Sequence, residues 1–236
     1  MACVNGQVWN MTTQPPTRIS DGVGVSSRFG PNGYDLFALD HTGNTMFHHH
    51  GELTQRGRFV LSNESTTWNS PEAMASNDAI ETLNFEAKRF ATRQSEHAVC
   101  VWNVDDTTQP LHELQHDLQG VRHITLSPDG KLLLIISQPV SIVWDMEESP
   151  PREYKLQLEG AAQNAFFTQD GKRLLVAEGN GVGIYDWVHN REVRRLKYPG
   201  SVRQIIPHPD QRHLFTVNGN GTIYVLRLPE LTPSSP

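Results

Sequence analysis

The chain has 236 residues with 37% hydrophobic, 18 glycines and 15 prolines, enough to bury a substantial core between frequent turns. Its formal charge of −6 and pI near 6.0 argue against a general nucleic-acid binder, whose footprint is a basic face. No apolar run approaches the length that spans a bilayer, so neither nucleic acid nor membrane is expected as a partner.

Cys3 and Cys100 are the two cysteines and form no CxxC pair, which excludes a disulfide framework and a cysteine zinc site. Reduced thiols and a start, "MACVNGQVWN", without a secretory signal lead us to expect a cytoplasmic protein.

Residues 1–20 read as a partial unit of two strands, with Trp9-Asn10 ending the first of them. Residues 25–78 follow as a fuller unit, with "GPNG" as its turn and an inserted loop over 63–78. Trp68 in that loop is a candidate anchor for a partner, and Ser70-Pro71-Glu72 carries the signals of a short helix start. His48, His49 and His50, beside Glu52 and near His41, suggest a metal site at first sight. Alternation along a strand splits the triplet between two faces, and no third ligand is identifiable. We read them as the end of a third strand and its loop, with no metal.

From residue 79 the chain repeats. Gly120, Gly160 and Gly200 are spaced by forty residues and are followed by the same order of features. Ser127-Pro128-Asp129-Gly130 aligns with Thr168-Gln169-Asp170-Gly171 and with His208-Pro209-Asp210-Gln211. Trp144-Asp145 aligns with Tyr185-Asp186, and Trp102-Asn103 stands at the same place one unit earlier. In "SPDG", Pro presets φ, Asp bonds nearby backbone and Gly supplies a positive φ, so the segment is a turn between two strands. "SIVWD" makes a third strand, and the alternating "REYKLQL" a fourth, outer one.

Four antiparallel strands per forty residues is the spacing of a β-propeller blade. The units are 79–120, 121–160, 161–200 and a three-strand unit at 201–228, with 229–236 as a tail. The expected fold is all-β, a propeller of four-stranded blades with about five visible in a set that need not be complete. Five-fold closure would strand residues 2–10, so we expect the C-terminal portion of a larger propeller.

This pattern resembles the WD40 repeat family across essentially the whole chain, most specifically over 79–228. The family's turn is carried by Ser127, Pro128, Asp129 and Gly130, and its strand-ending pair by Trp144-Asp145, with Tyr185-Asp186 and Trp102-Asn103 as degenerate copies. The family's Gly-His dipeptide is missing. His116, with Asp117 beside it in "LQHDLQG", is its nearest relic. The resemblance implies a non-catalytic scaffold that binds a protein or peptide on its loops, without cofactor, and makes Trp68, His116 and Asp117 the candidate binding residues.

Residues that suggest chemistry have plainer readings. "GNGVG" at 179–183 lacks the lysine of a phosphate loop and falls between two strands, as a tight hairpin would. No GxSxG occurs, Cys100 lies inside the apolar "AVCVW", and Asp105-Asp106 and Glu147-Glu148 follow strand ends as solvated turns. Arg191, Arg194, Arg195 and Lys197 read as a charged edge strand. The rival is a lactonase-type hydrolase propeller with an axial site. It would cluster acids, His or Arg at one blade edge, whereas the loops "QP", "GNG", "NGNG" and "QSEH" are mostly uncharged.

Overall fold

The computed structural model describes residues 81–84, 86–207 and 212–228 in full and, of residues 1–80, only the backbone of the strands named below. The chain divides into two units, Met1–His116 and Asp117–Pro236. Both are built of antiparallel sheets, and the described residues contain no helix.

Among the described residues unit 1 holds three sheets. In the first, β1 (Ala2–Val4), β2 (Gln7–Asn10) and β3 (Thr17–Ser20) lie in chain order. Two strands were expected here, and β1 is the addition. Val4 pairs with Gln7, so Asn5-Gly6 is the whole connection, and Asn-Gly is a strong signal for a two-residue hairpin.

The second sheet is β4 (Ser26–Phe29), β5 (Leu36–Leu39), β6 (Thr45–Leu53) and β7 (Phe59–Asn69). β7 runs through residues 63–69 of the expected loop and pairs Trp68 with Met46. Thr66, Thr67 and Trp68 suit a pleated strand, and that preference outweighs the turn-forming Asn63 and Ser65 around them. The His48–His50 triplet lies within β6, not at a strand end. The expected helix start at Ser70, the "GPNG" turn and His41 lie outside the described residues.

The third sheet runs β11 (His112–Gln115), β10 (Ala98–Asn103), β9 (Arg89–Ser95), β8 (Ile80–Asn84) across its width. Phe90, Cys100, Trp102 and Val104 form its core, with the Phe90 and Trp102 rings stacked at 6.2 Å.

Unit 2 repeats one design. β12 (His123–Leu126), β13 (Leu132–Ile136), β14 (Ser141–Asp145) and β15 (Arg152–Leu156) make one sheet. β16 (Ala162–Phe167), β17 (Arg173–Glu178), β18 (Gly181–Asp186) and β19 (Arg191–Lys197) make the next. β20 (Val202–Pro207), β21 (His213–Asn218) and β22 (Ile223–Arg227) make the last, with three strands.

The turns after β12 and β16 show how the repeat survives sequence drift. Ser127 Oγ donates to Asp129 Oδ1 at 2.6 Å and accepts from the Leu132 amide at 2.9 Å. Thr168 Oγ1 does the same with Asp170 at 2.6 Å and the Arg173 amide at 3.1 Å. Gly130 and Gly171 hold φ of 72° and 68°, the left-handed region where a side chain is strained. These two turns share the hydroxyl, the carboxylate and the glycine. Proline is optional.

Inner strands are apolar because both faces are packed: every residue of β13 is buried. One core joins Leu134, Ile136 and Val143 to Ala165, Leu174 and Tyr185 of the next sheet, and a second joins Leu175 and Ile184 to Val202, Ile205 and Leu214. Each large aliphatic buried this way contributes about 1.5–3 kcal/mol. Polar bridges cross at matching positions. His123 Nε2 meets the Ala165 carbonyl at 3.0 Å, and the Asn164 amide both donates to the Ile205 carbonyl and accepts from its N–H, at 3.1 Å each.

Candidate functional site

The strand-ending pairs come first because the repeat places one at the end of each third strand. Asn103 Oδ1 accepts from the Asp105 amide at 2.9 Å, Asp145 Oδ1 from Glu147 at 3.0 Å, and Asp186 Oδ1 from His189 at 3.1 Å. The second member of each pair therefore closes a turn by capping a backbone N–H two or three residues on. Burial alone would raise the Asp186 carboxyl. Its hydrogen bonds from His189 and the charges of His189 and Arg191 outweigh that and hold it below the ordinary range.

The first members differ. Trp102 Nε1 donates to Thr92 Oγ1 at 3.0 Å. Trp144 Nε1 is buried with no acceptor among the described residues. Tyr185 replaces the indole with a hydroxyl, and that hydroxyl organises a network that the sequence did not reveal.

Glu178, at the end of β17, has a fully buried side chain. Its Oε1 accepts from Tyr185 Oη and from an Arg195 guanidinium nitrogen, both at 2.6 Å, and its Oε2 accepts from the Gly160 amide at 3.1 Å. Arg195 on β19 also grips Glu192 through two nitrogens and reaches Glu159 at 3.2 Å. Gly183 makes the room: a Cβ there would lie 2.7 Å from Glu178 Oε1 and 2.5 Å from the Tyr185 ring. Gly181 and Gly183 of "GNGVG" thus serve sheet packing, while Gly179, at a φ of 54°, serves the turn between β17 and β18.

The electrostatics follow. Burial, then the hydrogen bond to Glu178, push the Tyr185 phenol far up. Burial would lower the Arg195 guanidinium, but Glu192 and Glu178 outweigh it, so Arg195 stays charged. Three donors, a tyrosine, an arginine and a backbone amide, hold this carboxylate as an acceptor inside the sheet. The network is an internal tie between strands, and the rim arginines are correspondingly uneven. Arg191 and Arg194 are exposed as expected, whereas the Arg195 side chain is only 18% exposed and paired.

The three candidate binding residues fall in different places. Trp68 is on β7. His116 is buried, its amide donating to the His97 carbonyl at 2.8 Å and its ring edge-on to His97 at 6.3 Å. Asp117 is exposed. Asp105-Asp106 and Glu147-Glu148 are solvent-facing: Asp105 pairs with Lys88 at 2.5 Å, Glu147 with Lys131 at 2.6 Å, and Glu148 with Arg152 at 3.6 Å. Among the described residues no three His, Cys, Asp or Glu side chains converge as a metal site.

No protein-family model and no curated protein matches the chain in sequence. The structure does match solved ones. The β-propeller domain of Cps50 (Swd1) from Myceliophteria thermophila superposes with a TM-score of 0.66 at 14% identity, over 92% of this chain and 69% of that one. The sheets described above are those of a β-propeller fold.

Proposed function

We propose that the chain is a WD40-type interaction module without catalytic activity, and that it presents its sheet-end loops to a protein or peptide partner. The observation that carries this reading is the repeated turn at Ser127–Gly130 and Thr168–Gly171, closed by the same hydroxyl-to-aspartate bond each time. The family's strand-ending pair supports it, as does the likeness in fold to a propeller domain. The one described carboxylate at zero exposure, Glu178, is consumed by internal bonds, which weighs against a hydrolase.

In this reading Asp117, exposed just after β11, and Trp68 contact the partner, and His116 beside Asp117 holds the segment in place. The test is a displayed peptide library screened on the full chain, with hits measured by calorimetry, beside a panel of activated esters and lactones. The expected outcome is saturable peptide binding that D117A weakens about tenfold, a loss of about 1.4 kcal/mol. Turnover of an ester or lactone that loop substitutions abolish would overturn it.

A further inference from the structure

Strand β19 differs from the other outer strands with described side chains in how its cations are paired. β11 carries no lysine or arginine, and on β15 Arg152 lies 3.6 Å from Glu148 and Lys155 3.6 Å from Glu153. On β19 only Arg195 is fully engaged, by Glu178 and Glu192. Arg191 lies 3.8 Å from Asp186, whose carboxylate already holds His189 at 2.9 Å. Arg194 and Lys197 make no ion pair among the described residues, and Arg191, Arg194 and Lys197 are all exposed.

The strand register fixes where these charges stand. Asp186 pairs with Arg191 and Ile184 with Arg194, so the two arginines share one face of β19, two rows apart. Rows along a strand rise about 3.4 Å each, which separates the two side chains at their base by about 7 Å. The register slips by one residue between them, and the extra residue, Val193, is 43% exposed. A bulge of this kind interrupts the backbone row with which another strand would pair. Lys197 stands opposite Gly181, in a row that belongs to the other face.

We propose that Arg191 and Arg194 form a docking site for an extended segment of a protein partner that carries carboxylates at alternate positions. Alternate side chains of an extended chain recur on one side at the same spacing of about 7 Å, so two carboxylates meet two guanidinium groups. Arginine suits this role because its planar fork grips a carboxylate through two nitrogens. The bulge at Val193 leaves recognition to the side chains rather than to backbone pairing. A nucleic-acid strand is the rival anion, but the chain's net charge of −6 repels a long polyanion. A short acidic segment answers to the charges within a Debye length of about 8 Å, and here those are the arginines. Exposed ion pairs are individually weak, so the Kd is roughly hundreds of micromolar. This site goes beyond partner binding by the loops and does not rest on it.

The test is fluorescence anisotropy of a labelled peptide of alternating Glu and Thr, titrated with the full chain at low salt. Beside it run a Glu-Thr-Thr repeat with the same number of glutamates and an oligothymidylate of matching charge. The expected result is saturable binding of the alternating peptide that high salt abolishes. Arg191→Gln and Arg194→Gln should each weaken it about threefold and together about tenfold, with the circular dichroism unchanged because both side chains are exposed. Lys197→Gln on the opposite face and Asp117→Ala in the loops should change it by less than about twofold. No binding of the alternating peptide, equal weakening by Lys197→Gln or Asp117→Ala, equal affinity for the Glu-Thr-Thr repeat, or tighter binding of the oligothymidylate would each overturn the proposal.

Discussion

Tyr185 Oη and Arg195 both donate to Glu178 Oε1, each at 2.6 Å, so one buried oxygen ties the second, third and fourth strands of a single sheet. A fully buried carboxylate costs several kcal/mol in desolvation unless it is paired and hydrogen-bonded, and here both conditions hold. Glu178→Ala leaves the Tyr185 hydroxyl and the Gly160 amide without their partner and opens a cavity. We expect a loss of about 3 kcal/mol by chemical denaturation. Tyr185→Phe keeps the ion pair and should lose about 1 kcal/mol.

Gly183→Ala tests the spatial side of the same contact. Its Cβ would press into Tyr185 and Glu178 at distances real side chains do not adopt, so a loss of about 1–3 kcal/mol is expected. In a Tyr185→Leu background the added methyl has fewer ring atoms to meet. A double-mutant cycle should then show coupling of about 1 kcal/mol, and additive losses would refute the steric account.

The two tryptophans at pair positions should respond differently. Trp102→Phe breaks the bond to Thr92, whereas Trp144→Phe removes an indole N–H that has no acceptor among the described residues. The first should cost about 1 kcal/mol more than the second. The residue belonging to the intact Trp-Asp pair is thus the more replaceable one.

Ser127 is buried and makes two hydrogen bonds in its turn, so Ser127→Ala should destabilise by about 1–2 kcal/mol. Restoring a hydroxyl with Ser127→Thr, the residue found at the matching position 168, should recover most of it.

Asp170 gives the second turn an acid dependence. Burial would raise its carboxyl, but the Thr168 hydroxyl, the Lys172 amide and the Lys172 charge hold it below the ordinary carboxylate range. A carboxyl depressed in the folded state adds stability above its unfolded pKa and loses it as pH falls through the folded one. Stability should therefore decline as pH drops below about 4, and Asp170→Asn should flatten part of that decline in pH-resolved melting curves.

The sheet-end turns were legible in the sequence because their chemistry is local. A hydroxyl, an aspartate two residues on and a glycine at positive φ are neighbours along the chain, and they recur at a fixed spacing. Burial of β13 was legible for a similar reason, since "LLLII" has no polar side for water. The β1–β2 hairpin was also written in Asn5-Gly6, but three residues are too short a run to register as a strand. Trp68 was misplaced because the threonines beside it, which suit a strand, sit among residues equally at home in a loop.

Glu178, Tyr185 and Arg195 were not legible as a unit. They lie seven and seventeen residues from Glu178 on three different strands, and only the pairing registers bring them together. In sequence Arg195 is one basic residue among four, and nothing local separates it from Arg191 or Arg194. By itself the sequence determined the repeat, its turns and the all-β class, because those follow from local backbone preferences and a two-residue alternation. Tertiary structure alone decided which charged groups are buried and paired, because that depends on what packs against a strand from the adjoining one.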